Sequence, residues 1–174
     1  MWASAKYLFA AAALVGDLPL VNAQTAGNAK WTFQTGDQLY ATAVLDKDGT
    51  ALYIGSLDHK VYKLDPETGD ELWATPFVTN GDIFSAGALS PDQSTFFVGS
   101  DDFSVYAIDT ATGLEKWSFE TDLYVEAPPV VSRDGSTIYI GSWDSNVYAL
   151  DAETGDEVWR ITTGTRLDQG QCIQ

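Results

Sequence analysis

The 174-residue chain has one cysteine, one histidine and one methionine. A single cysteine forms no internal disulfide, and one cysteine with one histidine cannot supply the ligands of a structural zinc site. Basic residues are scarce too: 9 Lys and Arg stand against 25 Asp and Glu, a formal net charge of −16. With no basic patch to neutralise phosphates, the composition argues against a nucleic-acid partner. No phosphate-cradling glycine motif appears, and no Asn-x-Ser/Thr triplet occurs. What remains is 45% apolar and 13% aromatic residues, too many for a disordered chain and too interrupted for a membrane bundle.

The first 23 residues, MWASAKYLFAAAALVGDLPLVNA, read as a signal peptide. Lys6 supplies a basic start, Tyr7 to Val15 an apolar stretch, and Val21-Asn22-Ala23 a small-x-small cleavage site. Asp17 and Pro19 interrupt the apolar run well short of the ~20 residues a membrane span requires. The expectation is a mature chain of residues 24–174, secreted or periplasmic, with no membrane span. No cysteine stands directly after the apolar stretch, so a lipid anchor is not expected. The lone Cys172 reads as a small buried hydrophobe rather than a reactive thiol.

The mature chain repeats itself. Trp31, Trp73, Trp117 and Trp159 recur at intervals of 42, 44 and 42 residues. The pairs Gly55-Ser56, Gly99-Ser100 and Gly141-Ser142 share that frame, as do Val61-Tyr62, Val105-Tyr106 and Val147-Tyr148. This divides the chain into repeats at about 31–73, 74–117 and 118–159. Each unit holds four short β-type runs, in the first roughly Ala41 to Leu45, Leu52 to Ser56, Val61 to Asp65 and Glu71 to Phe77. No sustained 3.6-residue apolar period competes with them. Four strands in about 42 residues is the length of one propeller blade.

The sharpest motif is Ala-x-Asp-x-x-Thr-Gly-x-Glu-x-Trp. It stands complete at Asp109, Thr112, Gly113 and Trp117, and again at Asp151, Thr154, Gly155 and Trp159. The first copy, with Lys63 for the alanine, carries Asp65, Thr68, Gly69 and Trp73. Asp and Thr bond backbone amides across a tight turn, and Gly supplies positive φ. The tryptophan, with Trp31 as an extra copy at the front, is expected to fill the wedge between neighbouring sheets. The rival reading, a ligand-stacking ladder, does not explain an Asp and a Thr at fixed offset in each copy.

This spacing and motif resemble the pyrroloquinoline-quinone (PQQ)-type propeller repeat, carried by quinoprotein dehydrogenases and by the propeller lipoprotein of outer-membrane assembly. DGTALYIGSLDHKVYKLDPETGDELW and DGSTIYIGSWDSNVYALDAETGDEVW match it nearly throughout, and the likeness runs from residue 30 to about 165. It implies an all-β propeller of four-stranded antiparallel blades, about three of them complete, with partial strands at each end. Thr163-Gly164-Thr165-Arg166-Leu167 echoes Thr35-Gly36-Asp37-Gln38-Leu39. Since the family closes seven or eight blades, the expectation is either self-association through open blade edges or a piece of a longer protein.

In antiparallel blades, the turn between second and third strands and the connection between units fall at the same end. That end gathers Asp37, Tyr40, Asp58, His59, Asp82, Phe84, Asp101, Asp102, Tyr124, Glu126, Trp143, Asp144 and Asn146. The resemblance implies that cofactor and calcium sit on this side in the quinoprotein enzymes. Asp58, Asp102 and Asp144 occur in register, as turn formers do. Glu126 and Trp143 break the pattern of their sister positions, near Ser85 and Leu57, and are the better ligand candidates. No catalytic set emerges: the adjacent cysteine pair of the dehydrogenases is missing, and Ser56, Asp58 and His59 share one turn instead of forming a triad. The Asp46-to-Thr50 run lacks the terminal ligands of a calcium loop. These residues point to an exported scaffold that binds a protein partner without catalysis. The alternative is a fragment of a PQQ-dependent dehydrogenase, the one case in which PQQ and calcium would be cofactors.

Overall fold

The computed structural model describes residues 29–164; the signal segment, the Thr165-Arg166-Leu167 echo and Cys172 lie outside the described residues. Twelve strands form three four-stranded antiparallel sheets in chain order. The first contains β1 (Val44–Leu45), β2 (Leu52–Ser56), β3 (Lys60–Leu64) and β4 (Phe77–Val78). The second contains β5 (Ala88–Leu89), β6 (Thr95–Gly99), β7 (Ser104–Asp109) and β8 (Glu115–Glu120). The third contains β9 (Val130–Val131), β10 (Thr137–Gly141), β11 (Asn146–Asp151) and β12 (Glu157–Thr162). These are propeller blades, as the repeat frame predicts. Among the described residues, no helix is long and apolar enough to cross a membrane.

Turn chemistry closes the tight turns that the sequence marks. In the first blade Asp46 accepts from the Thr50 amide at 2.7 Å and its hydroxyl at 2.8 Å, and Gly49 takes φ 69°. That run is a strand-to-strand turn. Asp65 Oδ1 likewise accepts from the Glu67 and Thr68 amides at 2.6 and 3.1 Å, as Asp151 does from Glu153 and Thr154.

Alternation sends successive residues of the middle strands to opposite faces. Tyr53, Val61, Phe77, Phe96, Val98 and Tyr106 fill one core between the first and second blades. Phe97, Val105, Val125, Ile138, Ile140 and Tyr148 fill another between the second and third. Trp31 and Phe33 pack on Tyr62 and Leu64 at the outer side of the first blade, where they occupy the place of a preceding blade's last strand.

Two strand boundaries differ from the expectation. The innermost strands pair over only two residues each. In the first blade the outer strand shrinks to Phe77–Val78, with an isolated bridge at Leu64↔Glu71. Thr79 follows Trp73 by six positions, whereas Thr121 follows Trp117 by four. Val61 still pairs with Phe77, just as Val105 pairs with Phe119 and Val147 with Ile161. The two extra residues are absorbed beside Pro76, which has no amide for the ladder. This bulge accounts for the single 44-residue interval among the tryptophans.

Candidate functional site

The repeated tryptophans are joints between blades. The Trp73 and Trp117 indole N–H groups donate to the carbonyls of Thr110 and Ala152 in the following blade at 2.9 and 3.1 Å. Trp31 does the same to Pro66 at 2.9 Å. Each indole lies over the turn glycine of its neighbour: a methyl on Gly69, Gly113 or Gly155 would fall 2.7, 2.9 or 2.7 Å from ring carbons. Trp117 is 8% exposed and Trp159 is 40% exposed, since no following turn covers Trp159 among the described residues.

At the other end of the blades, the acids in register are held just as closely. Tyr62, Tyr106 and Tyr148 donate their hydroxyls to Oδ2 of Asp58, Asp102 and Asp144 at 2.6, 2.7 and 2.6 Å. The same Oδ2 atoms accept the amides of Gly36, Asn80 and Asp122 from the segment that enters each blade. Burial first, then the bond to a carboxylate, pushes the Tyr106 and Tyr148 phenols up to about 12. Asn146 is spent on Tyr148 at 3.3 Å and on the Thr162 hydroxyl at 2.7 Å. Ser56 Oγ accepts the Asp58 amide at 3.2 Å inside its own turn.

Backbone bonds give the sister positions of what remains. The amides of Leu57, Asp101 and Trp143 donate to the carbonyls of Gln38, Asp82 and Tyr124 at 3.1, 2.9 and 2.9 Å. Leu57, Asp101 and Trp143 are therefore equivalent, as are Gln38, Asp82 and Tyr124. Two residues further on, Tyr40, Phe84 and Glu126 form the third set. The sister of Glu126 is thus Phe84, one residue from the expected Ser85; Ser85 belongs with Ala41 and Ala127. All three sets lie at one mouth, and within each the residue type changes from blade to blade.

The mouth is acidic on one side and aromatic throughout. Asp101 is pushed up to about 7, first by burial and then by the charges of Glu126, Asp82 and Asp102. Its Oδ1 is buried with no hydrogen-bond partner among the described residues. His59, held at φ 66°, pairs with Asp82 Oδ1 at 2.9 Å. Tyr124 stands between Phe103 and Trp143, with centroids 5.3 and 5.6 Å away. Tyr40 and Phe84 lie 5.7 Å apart at 45°. Together with Thr42, Ser85, Ala86 and Pro128 they line an open hollow.

Ser85 is the residue that sequence reasoning missed as part of a site. It is 3% exposed, and its hydroxyl has no partner among the described residues. A buried polar atom left unpaired costs ~1–3 kcal/mol. Aligning the units through Thr35, Thr79 and Thr121 exposes it as a serine among alanines; the bulge after Trp73 hides this in the tryptophan frame.

No group of three or more His, Cys, Asp or Glu among the described residues is placed to hold a metal ion.

Residues 16–171 match the model of the protein family described as outer membrane protein assembly factor BamB, a family of the PQQ-repeat type. The fold is similar to the crystal structure of BamB from Moraxella catarrhalis, with a TM-score of 0.65 and 24% sequence identity. The likeness covers 76% of this chain and 39% of that one, so the chain spans well under half the length of that structure. At this identity the likeness shows the fold alone. A comparison with curated proteins gave no match.

Proposed function

The chain belongs to the outer membrane protein assembly factor BamB family, and from that premise we propose that it works outside the cytoplasm as a non-catalytic scaffold. Its acidic, aromatic mouth docks a protein partner. One observation carries this reading. Positions that repeat from blade to blade are consumed by packing, in the Trp–Gly joints and the Tyr–Asp braces. At the mouth, whole sets of sister positions change from blade to blade instead: Tyr40, Phe84 and Glu126, and Leu57, Asp101 and Trp143. A fold needs the first class of residue to stand up; the second class is free to recognise something. An assembly-factor family agrees with docking rather than turnover.

Site-directed photocrosslinking tests the reading. A benzophenone amino acid in place of Tyr124, at the mouth, should trap a partner polypeptide in the envelope of the producing cell. The same group in place of Leu114, exposed at the opposite end, should not. Equal trapping from both ends, or none from either alongside quinone-dependent dye reduction, overturns it.

A further inference from the structure

We infer that Asn80-Gly81 is a self-modifying site: the Gly81 amide nitrogen attacks the Asn80 side chain, ammonia leaves, and water opens the resulting ring to aspartate or isoaspartate. Water is the sole co-reactant. The change adds a negative charge to the connection that enters the second blade at the mouth. It goes beyond the docking reading and does not depend on it.

The covalent step balances without an oxidant or a cofactor. As the Gly81 amide gives up its proton, its nitrogen bonds to Asn80 Cγ; the Cγ–Nδ2 bond breaks and the proton leaves with ammonia. The product is a cyclic succinimide. Water that adds at Cγ breaks the new N–Cγ bond and restores the backbone, with aspartate at this position. Water that adds at the Asn80 main-chain carbonyl breaks the original peptide bond instead, and the chain then runs through the side chain as isoaspartate.

The surroundings single this pair out. Of the four asparagines only Asn80 precedes a glycine, the residue whose missing side chain leaves the backbone nitrogen open to approach and free to turn. Asn80 is exposed, and both residues lie outside the strands. Among the described residues the Gly81 amide makes no hydrogen bond, so none is broken as the nitrogen turns. The comparable pairs among the described residues are restrained. Asn146 is 9% exposed, its side chain is held by Tyr148 and the Thr162 hydroxyl, and β-branched Val147 follows it within β11. Asp48-Gly49 and Asp134-Gly135 could close the same ring with loss of water, but their glycine amides are spent on the Asp46 and Ser132 carbonyls at 3.2 and 2.9 Å.

The two products differ in what they do to the fold. The Asn80 amide donates to Asp102 Oδ2 at 2.8 Å, as those of Gly36 and Asp122 do to Asp58 and Asp144. Asp122 is therefore the sister of Asn80 and shows that the fold accepts aspartate at this place. Isoaspartate puts an extra methylene into the main chain just before Gly81. The Gly81 carbonyl accepts the Thr79 and Ser100 hydroxyls at 2.7 and 3.2 Å, and a methyl on Gly81 would fall 2.4 Å from the Asp102 nitrogen. A longer chain has no room there, so isoaspartate loosens the connection between the first two blades while aspartate leaves it standing.

The test is peptide mapping by mass spectrometry of the full folded chain held in warm buffer at pH 8, with an isoaspartyl methyltransferase to count isoaspartate. Asn80 should convert, with ammonia released in equal amount, while Asn146 stays an amide in the same sample. Asn80→Gln, whose longer side chain closes the ring poorly, should lose nearly all methyl acceptance. Asn80→Asp should melt with the parent, as Asp122 implies, and the isoaspartate-bearing fraction of aged protein should melt several degrees lower. An Asn80 that stays an amide while a peptide of residues 78–83 converts in the same buffer overturns the site. Methyl acceptance that is equal in parent and Asn80→Gln overturns it too, since the isoaspartate would then lie at Asp48 or Asp134. An isoaspartate fraction that melts with the parent overturns the loosening of the connection.

Discussion

Trp117 and Gly155 sit so close across the second and third blades that a methyl on the glycine would come within 2.7 Å of the indole carbons. Gly155 also holds φ 78°, where a side chain is strained. Gly155→Ala combines both effects: ~1–2 kcal/mol for the backbone and ~1–3 kcal/mol for overpacking. Gly49 is the control, with φ 69° and nothing within 4 Å; Gly49→Ala should lose the backbone part alone. Chemical denaturation of the two variants checks this, and equal midpoints would refute the close-packing argument.

Removing the other partner should be costlier. Trp117→Ala empties an interface site that also holds Phe97 and Leu150, and it orphans the Ala152 carbonyl. Loss of a buried indole of this kind costs ~3–5 kcal/mol, on the order of 10 °C in melting temperature for a chain of this size. Calorimetry that finds an unchanged transition would show that the tryptophans do not join the blades.

The joints were legible in the sequence because they obey local rules. Asp, Thr and Gly make a turn that needs only its own neighbours, and a tryptophan at fixed offset recurs wherever that turn does. The mouth was legible as an end of the fold, since strand alternation decides which loops share it. What could not be read was which acids are already spent. Asp58 and Asp101 look alike in sequence, yet Asp58 accepts from Tyr62 and Gly36, while Asp101 stands among other carboxylates. The place of Ser85 was hidden by the two-residue bulge after Trp73, which shifts the alignment by two positions. Partner bonds across blades depend on tertiary register, and spacing alone does not encode it.

Asp102 braces the connection between the first two blades. Its carboxylate accepts from Tyr106 at 2.7 Å, the Asn80 amide at 2.8 Å and the Ser104 amide at 3.1 Å. Asp102→Ala removes all three acceptor contacts, and Tyr106→Phe removes one. Hydrogen bonds to a charged group contribute ~1.5–3 kcal/mol, so Asp102→Ala should be the more damaging change. The double variant should lose less than the two singles together, because both act on one bond. Additive losses in a double-mutant cycle would mean that the brace is not formed.

Asp101 should make the protein less stable as pH rises through weak acidity. Its carboxyl lies at about 7 in the folded chain, against an ordinary value of 3.8. Between those two values the native state keeps a proton that the unfolded state has released, so stability falls from about pH 4 to about pH 7 and levels off above. Asp101→Asn removes the ionisation, and its melting temperature should exceed that of the parent at pH 8 and converge with it near pH 4. The carboxyl is partly solvated, and after allowance for screening the gap is of order 1 kcal/mol, or about 2–4 °C. Asp92 titrates in the opposite sense and in a separate window: the Ser90 hydroxyl, with the Ser94 amide and hydroxyl, holds it at about 2. Its contribution is therefore complete above about pH 4 and disappears as pH falls through 2. Melting curves of parent and Asp101→Asn that run parallel from pH 4 to pH 8 would show that neither burial nor the charges of Glu126, Asp82 and Asp102 raise the Asp101 carboxyl.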